Sequence, residues 1–154
     1  MISPEMLRRY PFFVDMDDAS IKAIAMIAEE MPIKAGEILF QSGQPSKALY
    51  LLEEGNIETS LVIKDSGDPK FEKEFYLDDI NPGEAFGLSA LVEPSLHSIT
   101  TRVSKAGKLL LIDGAKLNLL CMSDNRLGYQ VMKQIARTAL ERLQHTRVQL
   151  AAAR

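Results

Sequence analysis

AGEILFQSGQPSKALYLLEEGNIE, residues 35–58, is a chain of short β-type runs cut by Gly36, Gly43, Pro45 and Gly55. Glycine supplies turn conformations closed to other residues, and proline presets a turn angle. The runs between them, such as ILF (38–40) and ALYLL (48–52), are apolar and of strand length. Helical spacing, present on both sides of this stretch, is lost here. The centre of the chain is therefore expected to be a set of short antiparallel strands.

Downstream, Ile57, Thr59, Leu61 and Ile63 alternate with Glu58, Ser60, Val62 and Lys64, the pattern of a half-buried strand. KDSGDPK (64–70) makes a polar hairpin tip, with Gly67 and Pro69 giving the turn geometry. FEKEFYL then resumes the alternation, with Phe71, Phe75 and Leu77 on one side. KLLLI (108–112) reads as a buried strand. Glycine-punctuated strands in this number suggest a small barrel or roll.

Helices flank the strands. SPEMLRRY opens one, with Ser3 as N-cap, Pro4 in the first turn and Glu5 at the positive end of the dipole. After Asp17, Ile21, Ile24, Ala25 and Ala28 fall at helical spacing, Ile27 and Met31 widen the stripe, and Pro32 breaks it. Asp113 caps a short helix. A long one of about 28 residues follows from about Ser123, some ~42 Å at 1.5 Å per residue. Its stripe of Leu127, Val131, Ile135, Ala139 and Leu143 outruns a small roll. A second copy of the same helix would cover it, against a stripe satisfied within the monomer. The expected organisation is one domain over 1–154: N-terminal helices to 31, a β-roll over 32–112 and C-terminal helices over 113–151.

The bulk numbers agree with one globular unit. The chain has 154 residues, 46% hydrophobic and 25% charged, with net charge −3. No apolar run approaches the ~20 residues of a membrane span, and the N-terminus is too short and mixed for a secretory signal. The cytoplasm is the expected compartment. A single cysteine, Cys121, excludes an internal disulfide or a multi-cysteine metal site, and it reads as a buried packing thiol rather than a redox sensor. His145 has no histidine or cysteine at helical spacing to share a metal. Glu37 and Glu84 each follow a glycine and form no acid–base pair. The residues from Met122 onward are basic, a solvated face or a surface for an acidic partner. No catalytic triad, phosphate loop or dinucleotide fingerprint is present, so an enzyme is not expected.

The order of elements resembles the cyclic nucleotide-binding domain of catabolite-activator-type regulators, protein kinase A regulatory subunits and some ion channels. Three segments carry the resemblance: PFFVDMDD (11–18), the stretch 35–58, and PGEAFGLSAL (82–91) followed by the strand from Ser98 to Val103. The last is similar to the opening and close of that family's phosphate-binding cassette. The resemblance implies a double-stranded β-helix, a jelly-roll-like β-roll, with N-terminal helices and a long C-terminal helix. It also implies a ligand, cyclic AMP or cyclic GMP, at Phe86, Gly87, Leu88, Ser89, Ala90, His97 and Ser98.

Two of these positions depart from the family's pattern. A glutamate usually follows the cassette glycine and holds the ribose, and an arginine ten positions beyond the glycine neutralises the phosphate. Here Leu88 and His97 stand in those places. Leucine accepts no hydrogen bond, and histidine lacks arginine's fork and permanent charge. With a charge-assisted contact worth ~1.5–3 kcal/mol, the two losses weaken nucleotide affinity by about two to four orders of magnitude. Backbone N–H groups of the 87–91 turn and the Ser89 and Ser98 hydroxyls still offer an anion site. Leu88 lines an apolar pocket or plugs a dead one, and His97 senses phosphate or pH or is an exposed or core-satisfied histidine. The readings are a stand-alone sensor for a cyclic nucleotide or other small anion, or a ligand-free module docking a protein partner. No residues remain beyond the long helix for a DNA-reading helix-turn-helix, so direct DNA binding is not expected.

Overall fold

In the computed structural model, which describes residues 1–65 and 67–154, helices bracket a mainly antiparallel β-roll. The N-terminal part is α1 (Pro4–Arg8), a 3-10 turn (Pro11–Phe13) and α2 (Asp18–Ile27). Ser3 stands at the N-cap of α1, but its side chain accepts no backbone bond. Asp17 does cap α2, accepting from the Ser20 N–H at 2.8 Å.

The second helix ends sooner than its apolar spacing predicts. Ala28 is extended, and Ala28–Ile33 forms β1, so Met31 and Pro32 lie in a strand rather than at a helix end. Proline at 32 disfavours helical geometry at Met31. Among the described residues β1 bonds only to β6 (Thr100–Asp113), and an edge strand tolerates the loss of the N–H that proline lacks. The roll therefore begins at Ala28, not at residue 32.

The remaining strands are β2 (Ile38–Phe40), β3 (Ala48–Asp65), β4 (Asp68–Ile80) and β5 (Ala85–Phe86). KLLLI is the second half of β6, continuous with the strand that closes the cassette. β6 is the common partner of β1, β2 and β3, while β3 also pairs with β4 and β5. β3 and β4 pair as far as Asp65 and Asp68, placing the hairpin tip where the sequence puts it. Ser66 of that tip lies outside the described residues.

The expected alternation along the hairpin holds for Ile57 and Thr59 and then fails. A register shift falls between Thr59 and Ser60, and β3 leaves β6 after Ser60 pairs with Thr100. Beyond that point the two strands have only each other, so Ile63, Phe71, Phe75 and Leu77 are exposed. A strand pattern buries one face only where a second layer lies beneath it.

Two apolar clusters fill the molecule. One lies inside the roll, with Ile33, Phe40, Leu52, Ile57, Phe86 and Leu109. The other joins roll to helices: Leu7, Phe13, Ile21 and Ile24 pack with Leu49, Leu51, Leu110, Leu117 and Leu127. Asp113 caps α3 (Gly114–Ser123) through the Lys116 N–H at 2.9 Å. Asp124 caps α4 (Asn125–Ala152), a helix of 28 residues, as its spacing predicts. The two helices meet at Gly128, where a Cβ would lie 2.7 Å from the Cys121 carbonyl oxygen.

Candidate functional site

The cassette begins where β5 pairs with Tyr50 and Leu51 of β3. Gly87 then turns the chain in the left-handed region, φ 72°. A Cβ there would sit 2.8 Å from the Ala48 carbonyl oxygen and 2.9 Å from the Tyr50 ring. Conformation and space both demand glycine. Leu88–Leu91 forms one 3-10 turn, with Leu88, Ser89 and Ala90 half-buried. Leu88 and Leu91 pack against the helix-facing core.

The chain returns through a cis Glu93–Pro94 peptide and Ser95 in the left-handed region to His97. The backbone of His97 is fixed from both sides: its N–H donates to the Gln44 carbonyl at 2.9 Å, and its carbonyl accepts from the Gly43 N–H at 2.7 Å. Its side chain turns inward. His97 is 6% exposed, and its ring lies on Phe40 with centroids 3.5 Å apart. Phe40 neighbours Tyr50, which stacks on Phe86 at 5.1 Å. His97 thus joins an aromatic column under the cassette, and burial pushes its imidazole below the usual histidine value. The position where the family's pattern has arginine presents no cation. Ser98 is exposed, and its carbonyl accepts from the Ser42 hydroxyl at 3.3 Å.

A cation does reach the cassette from elsewhere. Arg142, on α4, donates to the carbonyl of Ala85, two residues before Gly87. Burial lowers its pKa, opposed by the Glu84, Asp78 and Glu141 carboxylates. Two further residues on the same face hold α4 to this edge. Gln149 donates to the Leu77 carbonyl at 2.9 Å, and His145 Nε2 lies 3.7 Å from Asp78. Sequence reasoning counted Arg142 only as part of a basic face. The signal was the spacing of 142, 145 and 149, which sets three polar groups on one side of a helix.

The expected dimer stripe is divided by the fold. Leu127, Val131 and Ile135 are buried in the chain's own core, because α4 docks on α3 and the N-terminal helices through them. Ala139 and Leu143 are exposed. They belong to another seam, Tyr129, Met132, Ala136, Ala139, Leu143, Thr146 and Leu150, all exposed, with steps alternating between three and four. That is the a/d spacing of a coiled coil.

Among the described residues no group of three or more His, Cys, Asp and Glu side chains could hold a metal ion. Among the described residues no helix is long and apolar enough to cross a membrane. Cys121 is half-buried, and burial pushes its thiol up.

Comparison with known proteins gives four findings. The family model "Cyclic nucleotide-binding domain" matches residues 30–124. A solved protein of Geobacter metallireducens, named as a cyclic nucleotide-binding protein, is 32% identical with a TM-score of 0.78, over 93% of this chain and 99% of its own. The catabolite activator protein of Thermus thermophilus, 21% identical, shares the fold with a TM-score of 0.70 over 93% of this chain and 62% of its own. Among curated proteins, one of Rhodopseudomonas palustris named as a potassium channel protein is 28% identical over 85% of this chain. This chain spans 30% of that relative's length.

Proposed function

The chain belongs to the cyclic nucleotide-binding domain family, and from that premise we propose that it is a regulatory module in which the cassette and α4 act on one another. The hydrogen bond from Arg142 to the Ala85 carbonyl carries this reading. It ties a long, partly unpartnered helix to the strand that feeds Gly87. A ligand seated at the cassette would compete for that guanidinium or tighten its hold. The helix would then shift by as much as the ligand's affinities for the two arrangements differ. The whole chain works as one unit in this scheme.

The ligand is a cyclic nucleotide or another small anion, held more weakly than in relatives that keep the glutamate and arginine. Leu88 offers no acceptor, and His97 is withdrawn and neutral. What remains is backbone N–H of the Gly87 turn, the Ser89 hydroxyl and Arg142. Titration of the full chain with cyclic AMP, cyclic GMP and a panel of small anions, followed by heat and melting temperature, tests this. Saturable binding tighter than about 100 μM, roughly −5.5 kcal/mol, supports the sensor; no binding removes it.

A second reading is favoured by the stacking of His97 on Phe40, since a site filled by its own side chains needs no ligand. The chain would then be an interaction module acting through its exposed surfaces. Both readings use a homodimer built on the Tyr129–Leu150 seam, whose apolar spacing suits a second copy of α4.

A further inference from the structure

A cavity of about 230 Å3 lies between the Asp15–Met16 segment ahead of α2 and the first half of α4, where Tyr129, Lys133 and Gln134 line it. It is separate from the Gly87 cassette, and no reading above uses its interior. Gln134 belongs to the inward face of α4, among Leu127, Val131 and Ile135, and is 4% exposed. Its backbone carbonyl accepts from the Thr138 hydroxyl at 2.8 Å. Its side-chain amide meets no donor or acceptor among the described residues. That amide is not sealed in: it keeps a little accessible surface, and the cavity wall is where that surface lies. An amide left unmet at such burial costs more than a typical hydrogen bond returns. An apolar side chain would pack at this position with no polar group to satisfy.

The ionic groups around the cavity are already matched. Arg126 Nε lies 3.1 Å from Asp17, and Asp15 lies 3.4 Å from Arg137. Lys133 Nζ stands over the Tyr129 ring, 6.0 Å from its centroid. What remains unmet inside is neutral, one N–H donor group and one carbonyl acceptor on the same amide. A charged guest would lose its hydration there without gaining a buried counter-ion. The other walls are apolar, the buried Met16 on one side and the exposed Tyr129 ring on the other. A cavity of ~150 Å3 accepts a benzene ring, so this one has room for such a ring with an amide attached.

We infer that this cavity binds a small, neutral aromatic carboxamide. The Gln134 N–H donates to the guest's carbonyl, and the guest's N–H donates to the Gln134 carbonyl. The guest's ring lies against Met16 and Tyr129, where the thioether and the phenol ring each favour an aromatic neighbour. The amide edge sets the orientation and the ring supplies most of the buried surface.

Titration of the isotope-labelled full chain with benzamide, followed by NMR, tests the site through the Gln134 side-chain NH2 signal. One saturable site is expected, moving that signal together with the Met16 methyl. N,N-dimethylbenzamide, which has no N–H to give, and benzoate, which carries a charge, should each bind about tenfold more weakly or less. Gln134→Met keeps the side-chain length and deletes the amide. Benzamide should weaken about tenfold in this variant, while its melting temperature holds or rises because no unmet amide is left. Tyr129→Ala, at an exposed position, should weaken benzamide about threefold with the fold intact. Equal binding of benzamide and its dimethyl derivative, no saturable shift at Gln134, or unchanged affinity in Gln134→Met would overturn the inference. None of these outcomes bears on nucleotide binding at the cassette.

Discussion

The imidazole of His97 lies flat on the ring of Phe40, their planes 9° from parallel. Burial holds the His97 pKa below its ordinary value, so the unfolded chain takes up this proton before the folded one does. The contribution is fully present above the unfolded value, about 6.5, and is lost as pH falls from there through the folded pKa. Wild type is expected to lose melting temperature between pH 7.5 and 5.5, more steeply than His97→Phe. Equal slopes in the two proteins would show that the ring is freely protonated.

Restoring the family's pair now carries a structural cost. His97→Arg places a guanidinium in the aromatic column, and burying an unpaired charge costs about 2–4 kcal/mol. Leu88→Glu with His97→Arg is expected to melt lower than wild type when free and to recover on adding cyclic AMP. A double variant that is equally stable with and without nucleotide would remove the cassette from consideration as a nucleotide site.

Arg142→Met keeps much of the side-chain bulk and deletes the bond to Ala85. A hydrogen bond from a charged group, discounted here for partial exposure, is worth about 1–2 kcal/mol. Amide hydrogen exchange in the last three turns of α4 should quicken about tenfold, while the N-terminal half stays protected. Unchanged exchange there would break the proposed link between helix and cassette.

The two faces of α4 give opposite mutational signatures. Leu127→Ala empties a site in the core and should cost about 2–5 kcal/mol, lowering the melting temperature with oligomeric state preserved. Leu143→Glu with Leu150→Glu touches the exposed seam and should yield monomers in sedimentation equilibrium with the fold intact. If wild type itself sediments as a monomer at high concentration, the seam is not a dimer interface.

Gly128→Ala tests the α3–α4 contact. Alanine favours the helix by about 1 kcal/mol, but its Cβ would meet the Cys121 carbonyl oxygen at 2.7 Å. The clash is with backbone, so overpacking of about 1–3 kcal/mol should prevail and the melting temperature should fall. A rise would mean the helices part freely.

What the sequence disclosed follows from the range over which each cause acts. Gly87, the cap at Asp113 and the length of α4 are local matters, written in neighbouring residues, and each stands as read. Pro32 misled because a helix stop and an edge-strand proline look alike until the partner strand is known. Ile63 and Phe71 alternate correctly, but whether a layer lies beneath them depends on where β6 turns away. His97 is legible as the residue ten beyond Gly87, while its inward rotamer is decided by Phe40, distant in the chain. Arg142 was legible as charge and, by its spacing from 145 and 149, as one side of a helix, but its acceptor is a backbone carbonyl, which carries no sequence signal.

One strand, β6, is the shared neighbour of β1, β2 and β3. The hairpin of β3 and β4 closes on adjacent residues and needs only microseconds, about 1–10 μs for such an element. Ala48 and Asp113, by contrast, must find each other across nearly half the chain. On the ribosome, three strands are made before the one that joins them exists. Until Asp113 has left the exit tunnel the nascent roll is an open set of edges, so its exposure to chaperone capture or aggregation lasts until β6 emerges.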